Sequence, residues 1–221
     1  MEYPLNTTEN PKNADDTGSS APSGPAEWMK MTPVEIGEYF FQWRDYTPIP
    51  LIILMFLIAS PTAFSATLGL MVVVLGELIR VYAVSFIGGV SRTRTRSTNQ
   101  RLITEGAFSI VRNPLYVGNF FITTGIALYS GVGWMVLLAA MAFAMQYYYI
   151  VKYEESLLTS KFGVEYEEYL KQVPPWVPAK LPALDKLPWP ETFGPAIKSE
   201  KRTLIAIMAV IMLLMVRGLL K

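Results

Sequence analysis

An uncharged run over residues 47–76 sets the strongest limit on what this chain can fold into. About 20 apolar residues span the hydrocarbon core of a bilayer as a helix, so the run is too long for one span and short for two. Residues 60–62, Ser-Pro-Thr, offer a break near its middle. The sequence therefore predicts a tight transmembrane hairpin, with one span near residues 46–62 and a second near 64–87.

The rest of the chain has the same apolar character. Of its 221 residues, 52% are hydrophobic and only 17% are charged, which is too apolar for an ordinary soluble domain. Further apolar stretches predict spans near 114–130, 133–151 and 203–219. We therefore expect an all-α integral membrane protein with about five transmembrane helices.

Composition divides the chain into five segments. The first residues are polar, with no apolar core, and this predicts disorder. Aromatic residues mixed with charges come next and predict an interfacial helix. A proline-rich stretch lies beyond the fourth span. The predicted segments are a disordered tail at 1–26, an interfacial helix at 27–46, a membrane core at 47–178, a surface linker at 179–201 and a C-terminal transmembrane helix at 202–221.

The distribution of positive charge predicts the orientation. Residues 88–113 carry five arginines against a single acid, Glu105, and lysines follow the fourth span. Loops rich in Lys and Arg stay on the cytoplasmic side of a membrane. The N-terminal tail, the basic loop and residues 152–202 are thus expected to be cytoplasmic, and any chemistry is expected on that face.

The chain contains no cysteine and no histidine. This excludes disulfides, a thiolate nucleophile, an imidazole base and imidazole metal ligands, and we expect no metal site. The net charge of +1 gives no reason to expect a nucleic-acid partner. Any reaction must rely on carboxylates, Arg, Lys, Tyr, amides, backbone groups or a cofactor.

The third span begins with Arg112, Asn113 and Pro114, and its first two turns carry Tyr116 and Gly118. One interpretation is purely structural, with an anchoring arginine, an N-cap and a proline at the first helical position. This interpretation does not account for Tyr116, Gly118 and Asn119, which are disfavoured in a helix that only faces lipid. The second interpretation is that the positive helix end faces a ligand, with the glycine allowing close approach.

The fourth span leaves the membrane through a run of tyrosines that leads to two acids. Tyr147 lies two turns before Glu154, and Tyr148 lies two turns before Glu155, so each pair shares a helix face. Adjacent glutamates point about 100° apart, so one of the two is expected to enter a given pocket. The alternative is that both acids begin a solvated helix. Together with the start of the third span, they predict a cytoplasmic cleft for a zwitterionic, aromatic ligand.

Two motifs resemble a known family. Residues 104–118, TEGAFSIVRNPLYVG, are similar to the signature T-x-G-P-[YF]-x-x-x-R-[HN]-P-x-Y-x-G of membrane methyltransferases, which include isoprenylcysteine carboxyl methyltransferases and phospholipid methyltransferases. Residues 154–174 resemble the second signature of that family. The chain departs from the pattern at Ala107, where proline is usual, and at Asn113, where the isoprenylcysteine branch has histidine.

The resemblance implies transfer of a methyl group from S-adenosylmethionine to a lipid-borne acceptor at the cytoplasmic surface, in what we expect to be a bacterial inner membrane. The expected partners are the bilayer and a lipid or lipidated substrate. Arg112 and Glu155 are the candidate catalytic residues. The candidate cofactor-binding residues are Gly106, Asn113, Leu115, Tyr116, Gly118, Tyr147, Tyr148, Glu154 and Glu155.

The acceptor is less constrained than the cofactor. Without histidine, a carboxylate or phosphate nucleophile is favoured over an amine that needs a base. Arg92, Arg94 and Arg96 alternate along the chain and are candidate substrate-binding residues, although topology alone also explains them. Glu77 and Arg80 are either an intrahelical pair or part of the cleft. A non-enzymatic membrane assembly protein is the alternative from another class, and a sterol-type reductase is disfavoured because no additional phosphate-binding glycine loop is present.

Overall fold

A computed structural model describes residues 29–87, 101–180, 187–191 and 193–220, and within these ranges every regular element is helical. This confirms the predicted all-α class. The described helices are α1 (Pro33–Trp43), α2 (Ile49–Ile58), α3 (Ala63–Ile87), a short 3-10 helix (Gly106–Ser109), α4 (Pro114–Tyr129), α5 (Gly133–Phe162), α6 (Val164–Gln172) and α7 (Gly194–Leu219).

Three of these helices, α3, α5 and α7, are long and apolar enough to cross a membrane. The other two predicted spans are shorter helices. At 1.5 Å per residue, α4 is about 24 Å long and α2 only about 15 Å, against a hydrocarbon core of roughly 30 Å. Helix α2 is short because prolines flank it: it starts after Pro48 and stops before Pro61, and a proline disfavours helical backbone at the preceding residue.

The break at residues 60–62 forms the predicted turn of the α2–α3 hairpin. The backbone amide of Ser60 donates to the carbonyl of Ser130 at 2.8 Å, which joins this turn to the turn between α4 and α5. Thr62 caps α3, because its hydroxyl accepts the amide proton of Ser65 at 3.1 Å. An apolar cluster that includes Met55, Tyr129 and Leu214 packs around these two turns.

Helices α3 and α4 pack with their backbones close together along a stripe of glycines. Gly69 and Gly76 on α3 face Gly125 and Gly118 on α4. A Cβ added to Gly76 would lie 2.7 Å from the carbonyl oxygen of Gly118. Small residues allow such contact between membrane helices. The stripe fixes the start of α4 against the polar part of α3.

Helix α1 occupies part of the segment predicted as an interfacial helix and packs on α5. Its first turn has a capping box, in which Thr32 and Glu35 exchange backbone and side-chain hydrogen bonds. Gly37 sits against the carbonyl of Tyr149, where a Cβ would come within 2.1 Å of the oxygen. The position of α1 relative to a bilayer stays a prediction.

Helix α7 begins at Gly194, inside the segment predicted as a surface linker, rather than near residue 203. Pro195 stands in its first turn, where proline is well tolerated. Its first two turns contain charged residues, and the proline-rich composition of this part of the chain predicted a surface linker there. One of those residues, Glu200, is fully buried against the other helices.

Candidate functional site

Arg112 lies just before α4 and binds groups that are distant in the sequence. Its Nε and Nη2 donate to one Glu155 carboxylate oxygen at 3.1 and 2.7 Å. Its Nη1 donates to the carbonyls of Leu170 and Val173 at 3.1 and 2.6 Å. Its backbone amide donates to the carbonyl of Pro174 at 2.9 Å. Arg112 therefore joins α4, α5 and the segment after α6.

Asn113 occupies the N-cap position of α4, but its side chain does not cap the helix. Instead, Nδ2 of Asn113 donates to the carbonyl of Pro175 at 3.2 Å. The interpretation of Asn113 as a side-chain cap is therefore wrong, because its side-chain amide binds the segment that follows α6. We call residues 173–176, which Arg112 and Asn113 hold, the latched loop.

Helix α6 is tied to the start of the same region. The hydroxyl of Tyr169 donates to the carbonyl of Phe108, within the 3-10 helix, at 2.7 Å. Tyr166 is also buried, and its ring centroid lies 5.8 Å from that of Tyr169. Burial raises the pKa of both phenols well above their ordinary value; the charge of Glu155 adds to the effect for Tyr166. Both tyrosines are therefore neutral at physiological pH.

Three aromatic rings from three elements meet at the cytoplasmic end predicted for α4 and α5. The ring centroids of Tyr116 and Tyr147 are 4.6 Å apart, and those of Tyr116 and Trp176 are 6.4 Å apart. Phe143 stacks beneath Tyr147 at 4.0 Å. We call Tyr116, Tyr147 and Trp176 the aromatic cluster.

The two adjacent glutamates of α5 have different partners. Glu155 binds Arg112, and both side chains are mostly buried, at 15% and 12% exposure. Glu154 lies beside the hydroxyl of Tyr116 and so faces the aromatic cluster. The angle of about 100° between neighbouring helical residues produces this separation. The sequence left the choice between them open, and the structure directs Glu154 to the cluster.

Other predicted cofactor-binding residues lie outside this cluster or pack within the protein. Tyr148 is 52% exposed, and its ring neighbours are Tyr149 and the Lys152 ammonium group. Gly118 contacts α3, where a Cβ would lie 2.4 Å from Cγ of Arg80.

The remaining predicted residues, among them Gly106 and Leu115, are not part of the aromatic cluster. Gly106 adopts φ +60° against the ring of Phe86, a conformation that favours glycine. Leu115 is half-buried in the first turn of α4. The predicted substrate-binding residues Arg92, Arg94 and Arg96 lie outside the described residues.

A second polar cluster surrounds Arg80, which is only 4% exposed. Its guanidinium donates to Glu200 of α7 and to Asn119 of α4, and Nη2 also lies 3.3 Å from the hydroxyl of Thr203. Its Nε lies 3.6 Å from the carboxylate of Glu77. Glu77 and Arg80 are thus an intrahelical pair that also belongs to an interhelical cluster.

The Arg80 cluster reaches the aromatic cluster through Asn119, whose Nδ2 lies 3.5 Å from the hydroxyl of Tyr147. Sequence reasoning missed two participants, Glu200 and Trp176. Glu200 is a single acid in a stretch that is compatible with a helix, and this pattern is only a weak indication that the residue belongs to a polar cluster. Trp176 lies two residues after Pro174, at which the second motif ends, and this proximity was a usable signal.

Comparison with known proteins supports the resemblance. The family described as phospholipid methyltransferase matches residues 64–165. A protein-S-isoprenylcysteine O-methyltransferase B of Arabidopsis thaliana is 34% identical over 122 residues, which cover 50% of this chain and 57% of the relative. These matches confirm the similarity to membrane methyltransferases that the two motifs predicted.

Two bacterial relatives have names of a different kind. A nickel-cobalt-cadmium resistance protein of Alcaligenes xylosoxydans xylosoxydans is 29% identical over 112 residues, covering 51% of this chain and 49% of the relative. A cobalt-zinc-cadmium resistance protein of Cupriavidus metallidurans is 30% identical over 112 residues, covering 51% and 48%. The chain spans about half the length of the curated relatives it matches.

Proposed function

We propose that the chain, whose residues 64–165 match the family described as phospholipid methyltransferase, transfers a methyl group from S-adenosylmethionine to a lipid-borne acceptor. We place this reaction at the cytoplasmic surface of the membrane. The observation that carries the proposal is the position of Glu154 beside Tyr116 in a cluster of aromatic rings.

The residues at this site fit the proposed cofactor. S-adenosylmethionine carries a positive sulfonium, an ammonium group and an aromatic base. Aromatic faces attract cations and stack on aromatic bases, and a carboxylate suits an ammonium group or ribose hydroxyls. When bound, the cofactor would supply a methyl group whose bond to sulfur breaks as the bond to the acceptor forms. Tyr116, Tyr147 and Glu154 are the residues that would hold it.

Arg112 and Glu155 are assigned a positioning role in this proposal. Their hydrogen bonds hold the latched loop and orient α5, so that Glu154 points toward the aromatic cluster. Methyl transfer by direct displacement depends mainly on alignment of the reacting atoms, which can supply roughly 7–11 kcal/mol of the barrier. A rigid frame around the cluster therefore matters more than an additional acid or base.

The proposed acceptor is a lipid or a lipidated molecule. Helix α5, which carries Tyr147 and Glu154, is long and apolar enough to cross a membrane, and the similarity to isoprenylcysteine methyltransferases is consistent with an acceptor delivered from the bilayer. A carboxylate or phosphate acceptor needs no base at neutral pH, which suits a chain without histidine. Arg92, Arg94 and Arg96 remain the proposed contacts for such an anion.

Calorimetric titration of the detergent-purified protein with S-adenosylhomocysteine tests the proposal. We expect wild-type binding at micromolar concentration and a loss of about ten-fold or more in Glu154→Gln, because a charge-assisted hydrogen bond is removed. Glu165→Gln is the matched control, since Glu165 is exposed on α6. If the folded wild type shows no binding, the proposal is wrong and the non-enzymatic alternative takes its place.

A further inference from the structure

Trp176 lies outside the segment that matches the family, yet it belongs to the aromatic cluster. Its ring centroid is 6.4 Å from that of Tyr116, which in turn contacts Tyr147 and Glu154. Its indole is partly buried. Trp189, in the same proline-rich part of the chain, is 78% exposed. Trp176 is therefore placed against the site, while Trp189 is not.

The backbone before Trp176 is held at three consecutive residues. The carbonyls of Val173, Pro174 and Pro175 accept hydrogen bonds from the Arg112 side chain, the Arg112 backbone and the Asn113 side chain at 2.6, 2.9 and 3.2 Å. The Arg112 guanidinium is itself fixed by Glu155. A loop held so closely to the start of α4 presents its next side chain to the cluster in a defined position.

We propose that Trp176 forms a wall of the cofactor site and recognises the positive charge of the sulfonium. This inference rests on the proposed function. An indole face is the strongest aromatic partner for a cation, and the attraction grows when water is excluded. Glu154 adds a negative charge beside Tyr116. In this arrangement Arg112 and Asn113 serve the site indirectly, by holding the loop that carries Trp176.

The sulfonium charge allows a test that a purely structural role would not pass. S-adenosylmethionine carries the charge, while S-adenosylhomocysteine has a neutral sulfur and nearly the same shape. We would measure the affinity of both probes by calorimetry for the wild type, Trp176→Leu, Trp176→Phe and the control Trp189→Leu. The melting temperature of each protein would be recorded in parallel.

We expect Trp176→Leu to weaken S-adenosylmethionine binding by about five- to ten-fold and S-adenosylhomocysteine binding by less than about two-fold. Trp176→Phe keeps an aromatic face, so its loss should be intermediate and again confined to the charged probe. Trp189→Leu should bind both probes as the wild type does. If Trp176→Leu does not fold, the affinities of Trp176→Phe for the charged and the neutral probe decide whether Trp176 recognises the sulfonium.

Two results would overturn the inference while leaving the proposed function in place. An equal loss for both probes would make Trp176 a packing residue, and no loss for either would remove it from the site. A wild-type protein that binds neither probe would overturn the inference and the proposed function together.

Discussion

Arg112 and Asn113 show how a motif beside the candidate site acts through the backbone. Arg112 was predicted as a candidate catalytic residue and Asn113 as a candidate cofactor-binding residue. Their hydrogen bonds go to carbonyl groups of residues 170–175 and to Glu155. Arginine suits this task, because its planar guanidinium presents five donors in a fixed geometry. The pair organises the site and leaves Glu154 to face the aromatic cluster.

Glu155→Gln should lower the stability of the protein more than Glu154→Gln does. The amide cannot compensate the charge of Arg112, which is only 12% exposed and keeps two carbonyl partners. We expect a cost of roughly 2–3 kcal/mol, typical of a lost hydrogen bond between charged groups. Unfolding in detergent would measure it. Equal stabilities of the two variants would contradict the separate roles of the acids.

The buried phenol of Tyr166 predicts a loss of stability at alkaline pH. Its pKa is raised in the folded protein, so the folded state holds the proton more tightly than the unfolded state. The stabilisation is present below the unfolded value of about 10 and is lost as the pH rises through the folded value. Melting temperatures from about pH 8 to about pH 11 should fall less for Tyr166→Phe than for the wild type. If the melting temperatures of the two proteins fall in parallel with rising pH, Tyr166 does not contribute to the loss of stability.

At the level of elements, close packing of α3 and α4 fixes the start of α4, which carries Tyr116 of the aromatic cluster. Four glycines bring the two backbones together, and Arg80 emerges from α3 directly beside Gly118. The apolar runs predicted both helices within one residue of their observed limits. The glycine stripe was present in the sequence, but its pairing across two helices required their relative rotation. That rotation depends on tertiary packing rather than on local pattern.

Gly118→Ala tests this packing. The added methyl group would lie 2.4 Å from Cγ of Arg80 and 2.7 Å from the carbonyl of Gly76. We expect a destabilisation of about 1–3 kcal/mol, as for other overpacked sites. Gly133→Ala is the matched control, because among the described residues no atom beyond its chain neighbours and its own helix backbone lies within 4 Å of its added Cβ. Thermal unfolding would measure the stability of both variants. If Gly118→Ala were as stable as Gly133→Ala, the two helices could move apart without a cost in free energy.

Helix α7 was predicted only in part from the sequence. Its apolar part was predicted, but its charged first turns were assigned to a surface linker. Glu200 is nevertheless fully buried and paired with Arg80, a residue 120 positions earlier. A buried acid is stable only beside such a partner. Because the partner lies on another helix, neither periodicity nor composition of the local segment reveals it.

At the scale of the whole molecule, the polar clusters and the apolar end of the bundle are separated along α4. The site lies at the first turns of α4, whereas the Met55 and Leu214 cluster packs near its other end. Sequence patterning predicted the all-α class, the hairpin and the region of the site. Contacts of residues far apart in sequence, including Trp176 and Glu200, came only from the fold.

The absence of native cysteine makes the proposed orientation directly measurable. Ala63→Cys lies at the turn between α2 and α3, and Ser160→Cys lies near the end of α5; both positions are exposed. We expect a membrane-impermeant maleimide to label the first in intact cells and the second only after permeabilisation. The reverse pattern would place the aromatic cluster on the opposite face of the membrane.

The central claim is that the chain methylates a lipid-borne acceptor through the Glu154 site. The most direct measurement incubates membranes containing the wild type, Glu154→Gln or Glu165→Gln with methyl-labelled S-adenosylmethionine and counts label in the extracted lipid fraction. The proposed function predicts equal incorporation for the wild type and Glu165→Gln, and at least about ten-fold less for Glu154→Gln. Wild-type incorporation no higher than in membranes without the protein, or full incorporation by Glu154→Gln, would contradict it.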